Sequence, residues 1–272
     1  MNNILKKEQQ ETGENFVSEL SYQPLTVDYG NYAETSDDYK KSLIRMLSIQ
    51  AYMEQKATTE GIEWIRKAPS YRKRHTFSKI VHDEAKHSYH IYKILDNLGV
   101  TEDVAISIVE GRHPEYPKLS KEAMQGPLEV AAEENEWIDI MLNLTFLDRA
   151  GKFMVTNYQQ ASFKPWANAN NIIIKDETGH IRFGEIEIKA WLKTESDIKK
   201  QRQKVTRWYV LGLNFFGPSS KKTAKRMNKF GLKQKSNDEL RDGYIKEVEE
   251  FFKDINRMDL ISLKKETFPY EA

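Results

Sequence analysis

Two short segments of this 272-residue chain carry the same acid-and-imidazole pattern, Asp83-Glu84-Ala-Lys-His87 and Asp176-Glu177-Thr-Gly-His180. Residues three apart on a helix share a face, so a Glu oxygen and a His nitrogen from adjacent turns can reach one metal ion. A single Glu-x-x-His is ordinary helix surface. Here both copies sit in apolar stripes: Glu84 runs with Phe77, Val81 and Ile91, and Glu177 with Ile173, Ile174, Ile181 and Ile188. A carboxylate among such neighbours is costly unless it is paired or binds a cation. The helical segment before each copy adds one more inward carboxylate. Glu54 precedes Glu84 by 30 residues, and Asp148 precedes Glu177 by 29.

The chain therefore reads as two similar helix hairpins, each with one carboxylate followed by a Glu-x-x-His. The expected site is a pair of metal ions held by Glu54, Glu84, His87, Asp148, Glu177 and His180, with Glu84 and Glu177 bridging and Glu54 and Asp148 terminal. Carboxylate and imidazole donors without thiolate favour iron or manganese; two Fe ions are expected, with manganese left open by the ligand types alone. Four carboxylates balance two divalent ions, which makes burial tolerable, and six ligands leave positions open for dioxygen. Asp83 and Asp176 are candidates to accept the outward N–H of a metal-binding His and so fix its tautomer. Glu60, Glu63, Glu133, Glu134 and Glu136 compete for the roles of Glu54 and Asp148, but their stripes are less apolar. His75, His82, His90 and His113 read as solvated or core-edge residues, and Tyr52, Tyr89, Tyr92 and Tyr158 as packing residues.

Four long elements must position these groups. The first begins after Asp37 and Asp38 and carries Leu43, Met46/Leu47, Gln50, Glu54 and Ala57 at helical spacing, with Gly61 and Pro69 as punctuation. The second follows Ser70, with Asn97 and Gly99 at its end. A polar connection over about 101–127 opens with a short helix at Thr101-Glu-Asp. The third long helix is expected from Pro127 to about Ala161, with Ile138, Met141/Leu142, Thr145, Asp148 and Lys152 on one face. Phe163-Lys-Pro-Trp breaks the pattern, and the fourth helix is expected from about Ala167 to Leu192. A basic run follows Gly217-Pro218: seven Lys/Arg and no acid lie between Ser219 and Lys235. It reads as a solvated face or a contact for phosphates of a large anionic substrate. Ser236-Asn-Asp-Glu239 has the form of a capping box and starts a last helix through about Ile255. The class is all-α: a ferritin-like four-helix bundle core with additional helices. It divides into an N-terminal arm (1–36), the bundle (37–216) and a C-terminal basic loop and helix packed on it (217–272).

The totals agree. Forty-two Lys+Arg against 41 Asp+Glu give a net charge of +1, which makes no case for nucleic acid or an acidic membrane surface. With no cysteine, disulfides, thiolate ligands and iron–sulfur clusters are excluded. The first sixteen residues lack the apolar stretch of a secretory signal, and the run Trp208–Phe216 is too short to span a bilayer. A cytoplasmic location is expected.

The chain resembles the catalytic components of bacterial ring-1,2-phenylacetyl-CoA epoxidases, members of the phenylacetic acid catabolic protein family. The resemblance runs from about 40 to about 250. It rests on WIRKAPS at 64–70, VHDEAKH at 81–87, LDRA at 147–150, the 29-residue step from Asp148 to Glu177, and SNDEL at 236–240. It implies that Glu54, Glu84, His87, Asp148, Glu177 and His180 are ligands of a diiron centre. It further implies a monooxygenase that activates O2 and inserts one oxygen atom into an aryl-acetyl-CoA thioester as a ring epoxide. Electrons would come from a separate reductase, and the structural partner would be a non-catalytic paralogue or a second copy of the chain. The chain departs from the family pattern beside the first motif. Ile80 stands where a Lys is expected four residues before the first bridging Glu, and His82 and Lys86 replace Gln and Gly. Two other readings stand beside this one: an oxygenase of the same family acting on another substrate in a biosynthetic pathway, and an iron-storage or peroxide-scavenging protein.

Overall fold

The computed structural model describes residues 26–116, 136–220 and 222–262. Among these the chain is helical, with no strand beyond one isolated bridge between Val27 and Phe163. Helix α1 spans Asp37–Lys67. The Ser36 side chain accepts from Tyr39 N–H, Asp37 and Asp38 lie in the first turn, and Arg66 and Lys67 in the last, all matching the helix dipole. The helix runs straight through Gly61 instead of ending there. A Cβ at Gly61 would come within 2.6 Å of Val81 Cγ2, so glycine serves close packing here rather than a turn.

Helix α2 spans Tyr71–Asn97 behind a Ser70 cap. Gly99, at φ 77°, reverses the chain in the left-handed region while Val100 N–H bonds back to Leu95 O. The short helix α3, Glu102–Val109, capped by Thr101, appears where it was expected and lies on α1 and α2.

The third long element differs from its reading. Residues 127–135 lie outside the described residues, α4 spans Trp137–Asn143, and Leu144–Asp148 form a π-helical turn before α5, Arg149–Tyr158. A π turn inserts an extra residue into the helical phase, so a stripe read at a constant 3.6-residue period slips beyond it. Ile138, Met141, Leu142 and Thr145 face inward as expected. Lys152 instead turns to Glu247 of a later helix, with Nζ 2.6 Å from Oε2.

Helix α6, Lys164–Thr194, begins earlier than expected because Pro165 lies in its first turn, where a missing N–H costs nothing. Phe163 caps it and pairs with the segment before α1: Val27 N–H donates to Ser162 O, and Lys164 N–H to Val27 O, each at 2.8 Å. A Cβ at Gly184 would lie 2.5 Å from Thr145 Oγ1 and 2.7 Å from Met141 O, so α6 presses directly on the π turn.

α1, α2, α4–α5 and α6 form the bundle, and three further helices follow. Helix α7 spans Ile198–Phe215, α8 Lys222–Lys229, and α9 Asn237–Asp254. The run Trp208–Phe216, noted in the sequence only as too short for a membrane, is mostly the buried half of α7. The expected Ser236/Glu239 capping box is formed. α7 and α9 lean on α5, and α7 also on the π turn, through Phe146, Tyr209, Leu213, Tyr244 and Phe252. Beneath them Lys204 Nζ reaches both oxygens of buried Asp139, at 2.8 and 2.9 Å. Among the described residues no helix is long and apolar enough to cross a membrane.

Candidate metal centre

The bundle brings all six expected site residues together. α2 supplies Glu84 and His87, α6 Glu177 and His180, α1 Glu54, and the last residue of the π turn is Asp148. Glu84 is 8% exposed, His87 0%, Glu177 5% and His180 2%. His87 Nδ1 lies 3.7 Å from Glu54 Oε2, 3.8 Å from Glu84 Oε2 and 3.6 Å from Glu177 Oε1. His180 Nδ1 lies 3.2 Å from Glu84 Oε1 and 3.8 Å from Asp148 Oδ2. The donor atoms form two groups, Glu54/Glu84/His87 and Glu84/Asp148/His180, each with its atoms within 4.8 Å of one another. Glu84 belongs to both. Glu177 belongs to neither and stands beside His87.

This arrangement fits cations. The buried atoms His87 Nδ1, His180 Nδ1 and Asp148 Oδ2 have no hydrogen-bond partner. Both Nδ1 atoms thus face carboxylates closely enough to feel their charge without a hydrogen bond to them. Burial pushes Glu54 up to about 7, helped by the charge of Glu84. Burial and then Glu84 raise Asp148 and Glu177 well above the usual carboxylate range. For Glu84 burial acts the same way, but His180 and His87 outweigh it and hold the carboxyl below that range. Burial lowers both imidazoles, yet nearby carboxylates prevail: Glu54 and Glu84 lift His87 to about 11, and Glu84 and Glu177 lift His180 to about 10. Without a cation, bound protons supply positive charge that offsets the clustered carboxylates. Divalent ions supply the same positive charge, and the O/N donor set suits iron or manganese.

Outside this cluster the two Asp residues cross over. Asp176 Oδ2 lies 3.2 Å from His87 Nε2, and Asp83 Oδ2 lies 3.5 Å from His180 Nε2. Asp176 thus hydrogen-bonds the imidazole of the opposite helix, while Asp83 faces His180 across the same gap without a hydrogen bond, a crossing that sequence spacing alone does not reveal.

The competing acids go elsewhere. Glu60 pairs with Lys56, Glu63 with Arg66, and Glu136 with Lys200 and Lys204; Glu133 and Glu134 lie outside the described residues. His82 is solvated. Tyr158 stacks on Trp166 at 4.3 Å, as packing requires, whereas Tyr89 is 61% exposed and lies outside the core. Sequence reading assigned no role to two further groups. Arg149, next to Asp148, is buried against Glu185 with Glu247 3.5 Å away. Gln50, one turn before Glu54, accepts from Trp166 Nε1 at 2.7 Å and donates to Asn170.

A helical bundle with a carboxylate-and-imidazole cluster between its helices is of the ferritin-like class. A solved structure from Synechococcus, a protein with aldehyde deformylating oxidase activity, shares this fold. It superposes with a TM-score of 0.63 over 83% of this chain and 95% of its own, at 13% identity. The chain belongs to the phenylacetic acid catabolic protein family, whose model matches residues 29–257. It is also similar to the A component of 1,2-phenylacetyl-CoA epoxidase from Escherichia coli (strain K12). The two are 28% identical over 219 residues, 77% of this chain. The match spans 65% of that relative's length.

Proposed function

We propose that this chain is a non-haem diiron monooxygenase, with Glu54, Glu84, His87, Asp148, Glu177 and His180 as the metal ligands. The observation that carries this reading is the pair of buried donor groups sharing Glu84, with both Nδ1 atoms unpartnered and turned inward. Two iron ions, once bound and reduced, would activate dioxygen for insertion of one oxygen atom into an organic substrate. The chain's own residues supply the dry, preorganised cage. Glu84 spans both positions, Glu54 and Asp148 close its two ends, Asp176 holds His87 by a hydrogen bond so that Nδ1 faces inward, and Asp83 faces the outer nitrogen of His180 at 3.5 Å. The buried aliphatic residues Val81, Ile173 and Ile181 lie one turn from Glu84 or Glu177.

The family and the epoxidase relative favour an aryl-acetyl-CoA thioester as substrate and ring epoxidation as the reaction. Electrons would come from a reductase, and a non-catalytic paralogue or a second copy would be the partner. A second reading keeps the diiron chemistry and changes the substrate. Ile80, one turn before Glu84, is buried with Trp64 and Phe77, at the position where the resemblance leads one to expect a Lys. The apolar side chain at that position, with Lys79 beside it, favours this second reading.

Anaerobic iron loading is expected to give about two ions per chain. Replacing Glu84 by Ala should abolish loading while helix content is kept. No iron uptake by the unaltered protein would refute the metal reading. Reduction, addition of phenylacetyl-CoA and then oxygen should yield a product heavier by one oxygen atom. Loaded protein that leaves this thioester unchanged but oxidises another substrate would favour the second reading.

A further inference from the structure

Lys86 lies between the two Glu-x-x-His helices and touches both outer carboxylates. Its Nζ is 2.6 Å from Asp176 Oδ2 and 3.1 Å from Asp83 Oδ1. Asp176 Oδ2 is also the oxygen 3.2 Å from His87 Nε2, while Asp83 turns its other oxygen, Oδ2, toward His180 Nε2 at 3.5 Å. A single chain of polar contacts therefore runs from His87 through Asp176, Lys86 and Asp83 to His180. It crosses between α2 and α6 three times, starting on α2 at His87 and ending on α6 at His180. No other Lys or Arg among the described residues pairs with either Asp.

We propose that Lys86 is a positioning residue that sets the orientation of both metal-facing imidazoles at once, acting through Asp83 and Asp176. This rests on the metal reading above. An outer carboxylate fixes a ligating His only if the carboxylate is itself fixed. Both Asp side chains are about a quarter exposed, so without a cation between them each is free to turn to solvent. Their charges would also repel across the helix interface. The ammonium removes that repulsion and clamps both in the rotamers that meet the imidazoles. Because one lysine holds both carboxylates, the two metal positions share a common outer support, and a change at Lys86 affects both together.

Cobalt(II) serves as the probe, with affinity read by titration, geometry by the visible ligand-field spectrum, and folding by the melting temperature of the metal-free chain. Lys86→Met is expected to weaken both ions about tenfold, at the low end of what loss of an outer partner costs. It should also shift the cobalt spectrum and leave the metal-free melting temperature near that of the unaltered chain. Lys86→Arg, which keeps the cation, is expected to restore most of the affinity. In an Asp83→Asn/Asp176→Asn background, Lys86→Met should lose its effect, since the cation then has nothing to clamp. Unchanged affinity and spectrum in Lys86→Met would overturn the proposal. So would an undiminished effect in the double-Asn background. Failure of the unaltered chain to bind cobalt is a different result: it would remove the metal reading, and this proposal with it.

Discussion

The two hairpins that build the site look like copies in sequence and differ in construction. The first, α1–α2, is two unbroken helices, one of them 31 residues long. Its Glu84 reaches both donor groups, and its His87 has an outer hydrogen bond at 3.2 Å. In the second, a π turn interrupts the first helix and delivers Asp148 from its last residue. Its Glu177 joins neither group, and both ring nitrogens of its His180 lack a hydrogen-bond partner. A shorter carboxylate on a distorted turn needs outside support. α7 presses on that turn, and α7 and α9 on α5 beyond it, whereas among the described residues the first hairpin carries mainly the short α3 and an edge of α8. The first hairpin holds its half of the site through regular geometry. The second holds its half through buttressing.

If Glu84 is the shared ligand, Glu84→Gln should reduce metal uptake from two ions per chain to less than one, while Glu177→Gln retains one tightly held ion. Metal analysis after gel filtration reads this directly, and equal losses would erase the asymmetry. Two of the close-packed glycines, one in each hairpin, test the buttressing. Gly184→Ala must push against the backbone at Met141 O and should cost about 3 kcal/mol, at the upper end of overpacking. Gly61→Ala meets the tip of Val81 and should cost about 1 kcal/mol, recoverable by Val81→Ala. Chemical denaturation of the metal-free protein distinguishes them.

Proton linkage tests the first hairpin alone. The folded pKa of Glu54, about 7, exceeds its ordinary value of 4.5. Its contribution to stability is therefore complete below pH 4.5 and lost as pH rises through 7. Metal-free protein should lose this contribution between those values, and Glu54→Gln should flatten that part of the profile. Metal-loaded protein should show the opposite slope there, because protons compete with the ions. The smallest effect is expected at the edge of the buttress. Lys152→Met removes a partly exposed pair with Glu247 and should cost about 0.5 kcal/mol in thermal unfolding.

Sequence made the repeated Glu-x-x-His legible because its period coincides with that of the helix. The inward carboxylates at Glu54 and Asp148 were legible by their matched steps to Glu84 and Glu177. The π turn was not, because an inserted helical residue has no local signature: Leu144-Thr-Phe-Leu-Asp148 is ordinary helix composition. Helix α7 was hidden by its division into a charged half and an apolar half, of which only the apolar run stands out. The start of α6 was misplaced because Pro165 reads as a breaker unless its place in the first turn is known. The crossed placement of Asp83 and Asp176, and the lysine between them, depend on how two helices face each other, which spacing along one helix does not encode.

The parallel bridge between Val27 and Phe163 ties the approach to the first bundle helix to the entrance of the last. Its consequence concerns the time course of folding. The first hairpin forms from neighbours in the chain, whereas this bridge, and the meeting of Glu84 with His180 96 residues away, must wait for a large loop to close. An ion held between those two residues would act as a latch on the latest contacts to form. Loading should therefore lengthen the unfolding half-life far more than it speeds refolding, as stopped-flow traces with and without metal would show.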